Sequence, residues 1–455
     1  MGRRGGRTHK TPGDAAKFHG SPARPRAPVF SVMAGSRELS FQECIECRGR
    51  LGATDAHITC PACGGLLDIV QPDPGARGPE LAARFAARGG SGVWRYEELV
   101  IPGAAGQAVS FPEGNTPLLA RPAVTAWSGA ARLWLKHEGM NPTGSFKDRG
   151  MTVGVTQAKR IGARAVACAT TGNTGASMAA YAAIAGLPAL VLVPAEGVAL
   201  GKLTQAIAYG ARTLLVRGDF DDCLRLVREA SEALGVYLLN SVNPWRVEGQ
   251  KTIVLEALAQ LAWDAPDWIA LPAGNLGNTA AFGKALREAH ALGLITKVPR
   301  LLAVQADGAA PFALSYRAGF RERHRVKAHT IATAIQIGDP ASYARAVTAI
   351  AETDGIVTAV SDAEIMEAKA VIDASGTGCE PASAASVAGV RQQRRAGTIA
   401  AGEHVVAVLT GHVLKDPGVL VRYHREMEPP PPGANRPIEI EATVTAVATA
   451  MRAAP

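Results

Sequence analysis

From about Phe111 onward, short apolar runs of strand character alternate with stretches of helical periodicity. Strand-like runs lie at 165–169, 189–193, 213–216, 236–239, 268–271 and 301–304. Between them, residues 221–234, 247–263 and 278–292 carry helical patterns. A strand, a helix and a further strand in that order close as a parallel βα unit, with helices covering both faces of the sheet. The alternation therefore predicts an α/β fold whose ligand sites lie at the C-terminal ends of the strands. A later strand, 405–409, ends at Thr410-Gly411-His412.

The remaining segments bound the domain organisation. Residues 1–37 read as a disordered basic tail and 38–70 as a cysteine module. Residues 71–110 read as a Pro/Gly/Ala-rich linker with a helix near residues 80–88. The catalytic region spans 111–428, with a smaller mobile lobe at about 150–240. A Pro-rich linker and C-terminal helix complete it at 429–455. The formal charge is +8, but residues 1–34 hold seven basic side chains against Asp14 alone, a net +6 that leaves +2 for residues 35–455. The basic balance thus belongs to the tail and is no argument for a nucleic-acid-binding face. The uncharged window 176–195 approaches the ~20 residues of a membrane span. Gly186-Leu187-Pro188 interrupts it, which predicts a buried helix followed by a buried strand and no membrane partner. With no secretory segment in 1–34, the chain is expected in the cytoplasm.

Four of the seven cysteines form Cys44-x2-Cys47-x12-Cys60-x2-Cys63. Two Cys-x2-Cys knuckles at this separation can set four thiolates tetrahedrally around one Zn²⁺. Two disulfides, or a remnant without metal, are the alternatives.

Three post-strand loops carry Gly with polar residues. Thr170-Thr171-Gly172-Asn173-Thr174-Gly175 and Pro272-Ala273-Gly274-Asn275-Leu276-Gly277-Asn278 present backbone N–H groups at helix starts, suited to anions. Neither matches a Walker P-loop or a dinucleotide fingerprint. The third ends at Thr410. Lys147, in Asn141-Pro142-Thr143-Gly144-Ser145-Phe146-Lys147, sits just past a turn and just before a helical pattern from about Asp148. A helix N-terminus favours the neutral amine, the form that attacks carbonyls and makes Schiff bases. An amine for an aldehyde, a neutral N–H cradle for a phosphate, a donor for a ring oxygen and a partner for a ring nitrogen are together what pyridoxal phosphate requires.

With those residues in view, the segments 139–151, 170–177, 241–252, 274–278, 379–389 and 410–417 resemble the signature segments of the threonine synthase family. That family belongs to the two-lobed, fold-type II (tryptophan synthase β-like) pyridoxal 5'-phosphate enzymes. The similarity covers roughly residues 38–450 and includes the zinc-ribbon-like start of some members. It departs at Arg48 and Val413, where glycine is usual. The resemblance implies that Lys147 forms the Schiff base and that Asn173 bonds the cofactor's 3′-oxygen. It implies that Gly274, Asn275, Leu276, Gly277 and Asn278 hold the cofactor phosphate, while Thr410 faces the pyridine nitrogen. It implies O-phospho-L-homoserine as substrate, its carboxylate on Thr170 and Thr174. The substrate phosphate would rest on Arg246, assisted by Ser241 and Asn243, with Lys202 a weaker candidate. The reaction implied is a β,γ-replacement that yields threonine and phosphate in a homodimeric enzyme.

Two rival readings stand beside it. One is a sister enzyme of the same fold, a phosphoserine-using synthase or a serine/threonine dehydratase. The other is a zinc-ribbon interaction or nucleic-acid-binding protein with an inactive catalytic domain, suggested by the basic tail and the four cysteines.

Overall fold

The computed structural model describes residues 40–170, 172–196 and 203–452. The basic tail, Thr171 and Lys202 lie outside the described residues. Near the N-terminus, β1 (Phe41–Cys44), β2 (Arg50–Gly52) and β3 (Leu67–Val70) form a small antiparallel sheet in the order β2-β1-β3. Next in the chain come β4 (Leu118–Ala120) and β5 (Arg132–His137), then β6 (Ala165–Ala169), β7 (Ala189–Pro194), β8 (Arg212–Val216) and β9 (Val236–Leu238). The last four strands are β10 (Trp268–Pro272), β11 (Arg300–Ala306), β12 (Ile356–Val360) and β13 (His404–Leu409).

These make two further sheets. A four-stranded parallel sheet runs β8-β7-β6-β9, and a six-stranded sheet runs β12-β11-β10-β13-β5-β4 with only the β4–β5 pair antiparallel. The apolar runs of the sequence form the parallel strands; β6, β9 and β10 are buried on both faces, as helix-covered sheets require, while the edge strand β8 leaves Leu214 and Leu215 exposed. The uncharged window resolves into the helix Asn173–Ala185, stopped by Gly186 in the left-handed region, and then β7. No described helix is long and apolar enough to cross a membrane.

Two departures from the sequence reading matter for the site. The stretch 71–110 carries the helix expected there, Gly78–Ala86, and packs against the body. Leu81, Phe85, Trp94, Tyr96, Leu99 and Val100 are buried in the largest core cluster, because the aromatic side chains gain more from burial than the prolines and glycines cost in pattern. The helix expected over 247–263 is two helices, Pro244–Gln250 and Thr252–Gln260. At the break, Gly249 lies so close to the preceding part of the fold that a Cβ there would fall 1.8 Å from the Arg149 carbonyl oxygen. Lys251 is fully buried between Glu248 and Glu288, at 2.7 Å from each.

The cysteine module is joined to the catalytic body by buried charge. Lys284 is 2.8 Å from Asp68 of β3 and 2.6 Å from Glu248 of the Arg246-bearing helix. Gln71 Nε2 also donates to Glu248 Oε2 at 3.0 Å, and Arg345 donates to the Leu67 carbonyl.

Candidate active site

Lys147 is the first residue of the helix Lys147–Arg160. The turn before it is stitched to the loop after β13. Phe146 N–H donates to the Thr410 carbonyl at 3.0 Å, and His412 N–H donates to the Gly144 carbonyl at 2.9 Å. The chain thus brings the lysine and Thr410, 263 positions apart in the sequence, onto one wall. Behind them, Asp148 accepts from Thr143 N–H at 2.7 Å and from Ser177 Oγ at 2.6 Å, which fixes the start of the helix.

A cavity of about 1920 Å³ opens at the C-terminal ends of the strands. Lys147, Thr170, Asn173, Thr174, Ser241, Arg246, Gly274, Asn275, Leu276, Gly277, Asn278 and Thr410 all line it. Of the described residues singled out for the reaction centre, only Asn243 does not. Its Oδ1 accepts from the N–H groups of Trp245 and Arg246 at 3.0 and 3.3 Å, and its Nδ2 donates to the Leu238 carbonyl at 2.9 Å. Asn243 therefore caps the Arg246 helix and orients the arginine from behind.

The electrostatics follow from burial. Desolvation, helped by the Arg246 charge and opposed by Glu380, pulls the Lys147 amine down to about 7. The larger causes are burial and Arg246 rather than the helix N-terminus. The Arg246 guanidinium is 1% exposed. Nη1 donates to the Leu239 carbonyl at 2.9 Å, while Nε and Nη2 have no partner among the described residues. An unpaired, desolvated guanidinium on a cavity wall is a site for an anion with two oxygens.

Two side chains escaped the sequence reading. Glu380, at the N-cap of the helix Pro381–Arg395, accepts from Asn173 Nδ2 at 3.0 Å and stands 3.4 Å from Thr410 Oγ1. Burial raises its pKa. Lys415 also lines the cavity and donates to Gln205 Oε1. A Glu-Pro pair reads as an ordinary helix start, and nothing local marks either residue.

In the small sheet, the four thiols of Cys44, Cys47, Cys60 and Cys63 lie within 4.8 Å of one another. The Cys44–Cys63 and Cys47–Cys60 sulfurs are 3.5 and 3.6 Å apart. That is near the roughly 3.8 Å between sulfurs in a tetrahedral zinc site and far beyond a disulfide bond length of about 2.05 Å. Arg48 takes the left-handed backbone, φ 60°, that its usual glycine would adopt freely, and its side chain reaches Glu43 at 2.6 Å.

Residues 109–411 match the family described as pyridoxal-phosphate dependent enzymes. A threonine synthase of Methanosarcina acetivorans is 44% identical over 381 residues, covering 83% of this chain and 93% of that protein. The chain belongs to the threonine synthase family of pyridoxal-phosphate dependent enzymes. A threonine synthase of Mycobacterium tuberculosis is 48% identical over 325 residues, 71% of this chain and 88% of the other. The crystal structure of threonine synthase from Escherichia coli shares the fold, with a TM-score of 0.68 over 88% of this chain and 93% of that one at 18% identity.

The site fits the cofactor that this threonine synthase family uses. The helix Gly277–Ala291 starts in the cavity wall, and Leu276 enters it in the left-handed conformation, φ 63°. The first N–H groups of a helix lack intrahelical partners and suit a phosphate. Leu276 and Gly277 would contribute only backbone, since the leucine side chain is in the core. Asn275 Oδ1 is occupied by Ala341 N–H at 3.3 Å, while Asn278 Oδ1 and Thr279 Oγ1 are buried without partners among the described residues. A Cβ on Gly274 would fall 3.0 Å from Ile335 Cα, so this wall is kept clear by the lack of a side chain.

Proposed function

We infer that this chain converts O-phospho-L-homoserine and water into L-threonine and phosphate. Sequence identities of 44% and 48% to threonine synthases, over most of both chains, support the reaction. Within the site, the observation that carries the reading is Arg246, a buried guanidinium with two donors unpaired. A phosphorylated substrate satisfies it, whereas a plain hydroxy amino acid would leave it unpaired.

When bound, pyridoxal phosphate supplies an electron sink for the carbon–hydrogen bonds beside the substrate amine. Lys147 would hold it, the backbone of Gly274, Asn275, Leu276, Gly277 and Asn278 would cradle its phosphate, and Asn173 and Thr410 would meet its 3′-oxygen and ring nitrogen. The neutral Lys147 amine, available from about pH 7, takes the proton from substrate Cα. Thr170 and Thr174 orient the substrate carboxylate. Arg246 and Ser241 bind the phosphate that leaves Cγ as a proton is lost from Cβ, and keep it in place while water adds at Cβ and the carbon skeleton is reprotonated.

Supplying the cofactor-loaded protein with O-phosphohomoserine should release threonine and phosphate in equal amounts. Loaded protein that forms no threonine, or that turns over phosphoserine instead, overturns the reading. We also propose that Cys44, Cys47, Cys60 and Cys63 hold a structural zinc ion and that the enzyme works as a cytoplasmic homodimer. One zinc per chain by elemental analysis and a dimer mass by light scattering are the expected results.

A further inference from the structure

Resting on the placement of the cofactor ring nitrogen at Thr410, we propose that Ser383 is a positioning residue. It fixes the direction of the Thr410 hydroxyl proton, with Glu380 as the competing acceptor, so that Thr410 donates to the ring nitrogen.

Ser383 is the third residue of the helix Pro381–Arg395 and is fully buried. Its Oγ lies 2.9 Å from Gly411 N. A backbone N–H can only donate, so Ser383 Oγ accepts there and its own proton must go elsewhere. Two acceptors are near: Thr410 Oγ1 at 3.0 Å and the Gly411 carbonyl at 3.5 Å. Hydroxyl hydrogen bonds centre near ~2.8 Å and weaken with length, so the proton goes to Thr410.

Thr410 has one proton of its own. With its oxygen accepting from Ser383, that proton points either to Glu380 Oε1, at a long 3.4 Å, or into the cavity. Glu380 is a poor competitor. Its other oxygen already accepts from Asn173, and burial favours its neutral form despite Lys147 and Lys415 facing it. A neutral carboxyl has its own proton to donate. The Thr410 proton is thus left for an acceptor in the cavity, and a pyridine nitrogen receiving it stays unprotonated. One polar chain, Ser383–Thr410–Glu380–Asn173, links the two side chains assigned to the cofactor's ring nitrogen and 3′-oxygen.

The test uses holoenzyme loaded with pyridoxal phosphate labelled with ¹⁵N in the ring, whose nitrogen NMR shift separates hydrogen-bonded pyridine from pyridinium. The native protein should give an unprotonated, hydrogen-bonded nitrogen. Ser383→Ala and Ser383→Cys should move the shift and weaken cofactor binding roughly two- to tenfold, the range of one neutral hydrogen bond. Ser383→Thr should restore both. Cysteine nearly preserves the volume of serine while donating weakly, so it keeps the test valid where alanine disturbs folding. A pyridinium in the native protein, or one shift shared by all variants, overturns the proposal. Failure of the cofactor placement is distinguishable, because Thr410→Val would then leave the ring-nitrogen shift where the native protein has it.

Discussion

Arg149 Nε donates to Glu138 Oε2 at 2.7 Å, two residues beyond Lys147, and neither side chain is exposed to solvent. The same guanidinium reaches Glu256 Oε1 at 2.8 Å, and Lys136 meets that oxygen at 2.6 Å. Two acids and two bases thus balance inside the core and clamp the first turn of the lysine's helix to β5. Removing one member strands the others. Glu138→Ala should cost about 3–5 kcal/mol in urea unfolding and slow cofactor attachment at Lys147. Unchanged stability would mean that the network is spectator chemistry.

Glu256 sets an acid limit on the fold. Its pKa is held down to about 2 by Arg149 and Lys136, against 4.5 ordinarily. A depressed carboxylate contributes stability that is full above the unfolded value and fades as pH falls through the folded one. The stability lost between about pH 4.5 and 2 should be on the order of 3 kcal/mol for this group. Glu256→Gln should flatten that limb of the unfolding profile. A limb of unchanged slope would assign acid lability elsewhere.

Cofactor attachment should follow the Lys147 amine. Because burial and Arg246 pull it down to about 7 from 10.5, the neutral, nucleophilic form accumulates as pH rises through 7. The rate at which apoenzyme takes up pyridoxal phosphate should climb from pH 6 to 8 and then level off, as read by the absorbance band. The protonated amine is the form disfavoured by burial, so apoprotein stability should rise with pH between about 7 and 10.5, and Lys147→Met should remove that rise. An uptake rate still climbing near pH 10 would contradict the shift.

Arg246 should discriminate phosphate from any smaller anion. Replacing it with alanine removes charge-assisted hydrogen bonds worth roughly 1.5–3 kcal/mol each. The expected loss in kcat/KM for O-phosphohomoserine is about 10- to 100-fold or more. Arg246→Lys should not rescue it, because a point charge lacks the planar fork. In the alanine variant the cofactor band should persist at saturation, while its uptake shifts to higher pH because the Arg246 charge no longer helps depress Lys147. Full activity in the lysine variant would show that charge alone suffices.

Much of this was legible because the signals are local. The run Trp268-Ile269-Ala270-Leu271 is apolar at every position and becomes the buried β10, and the Gly-Asn loop after it enters a helix where it must. Lys147 stands out because a turn and a helix start flank it. By contrast, β5 carries Lys136 and His137 into the interior, and no pattern announces a strand whose lysine is neutralised by Glu256, 120 residues away. Glu380 and Ser383 gain meaning only when the loops after β6 and β13 meet, a consequence of strand order. The break at Lys251 likewise depends on Arg149 crossing Gly249.

The buried contacts of Lys284 bear on how the protein can be altered. Its ammonium is shared between Asp68 in the cysteine module and Glu248, two residues past Arg246. Cutting the chain before residue 71 would remove Asp68 and leave a crowded set of interior charges short of one carboxylate. Replacing residues 38–70 with a foreign module would do the same unless it delivered an acid to that point. The module and the helix that carries the phosphate-binding arginine therefore have to vary together, and neither is an interchangeable part.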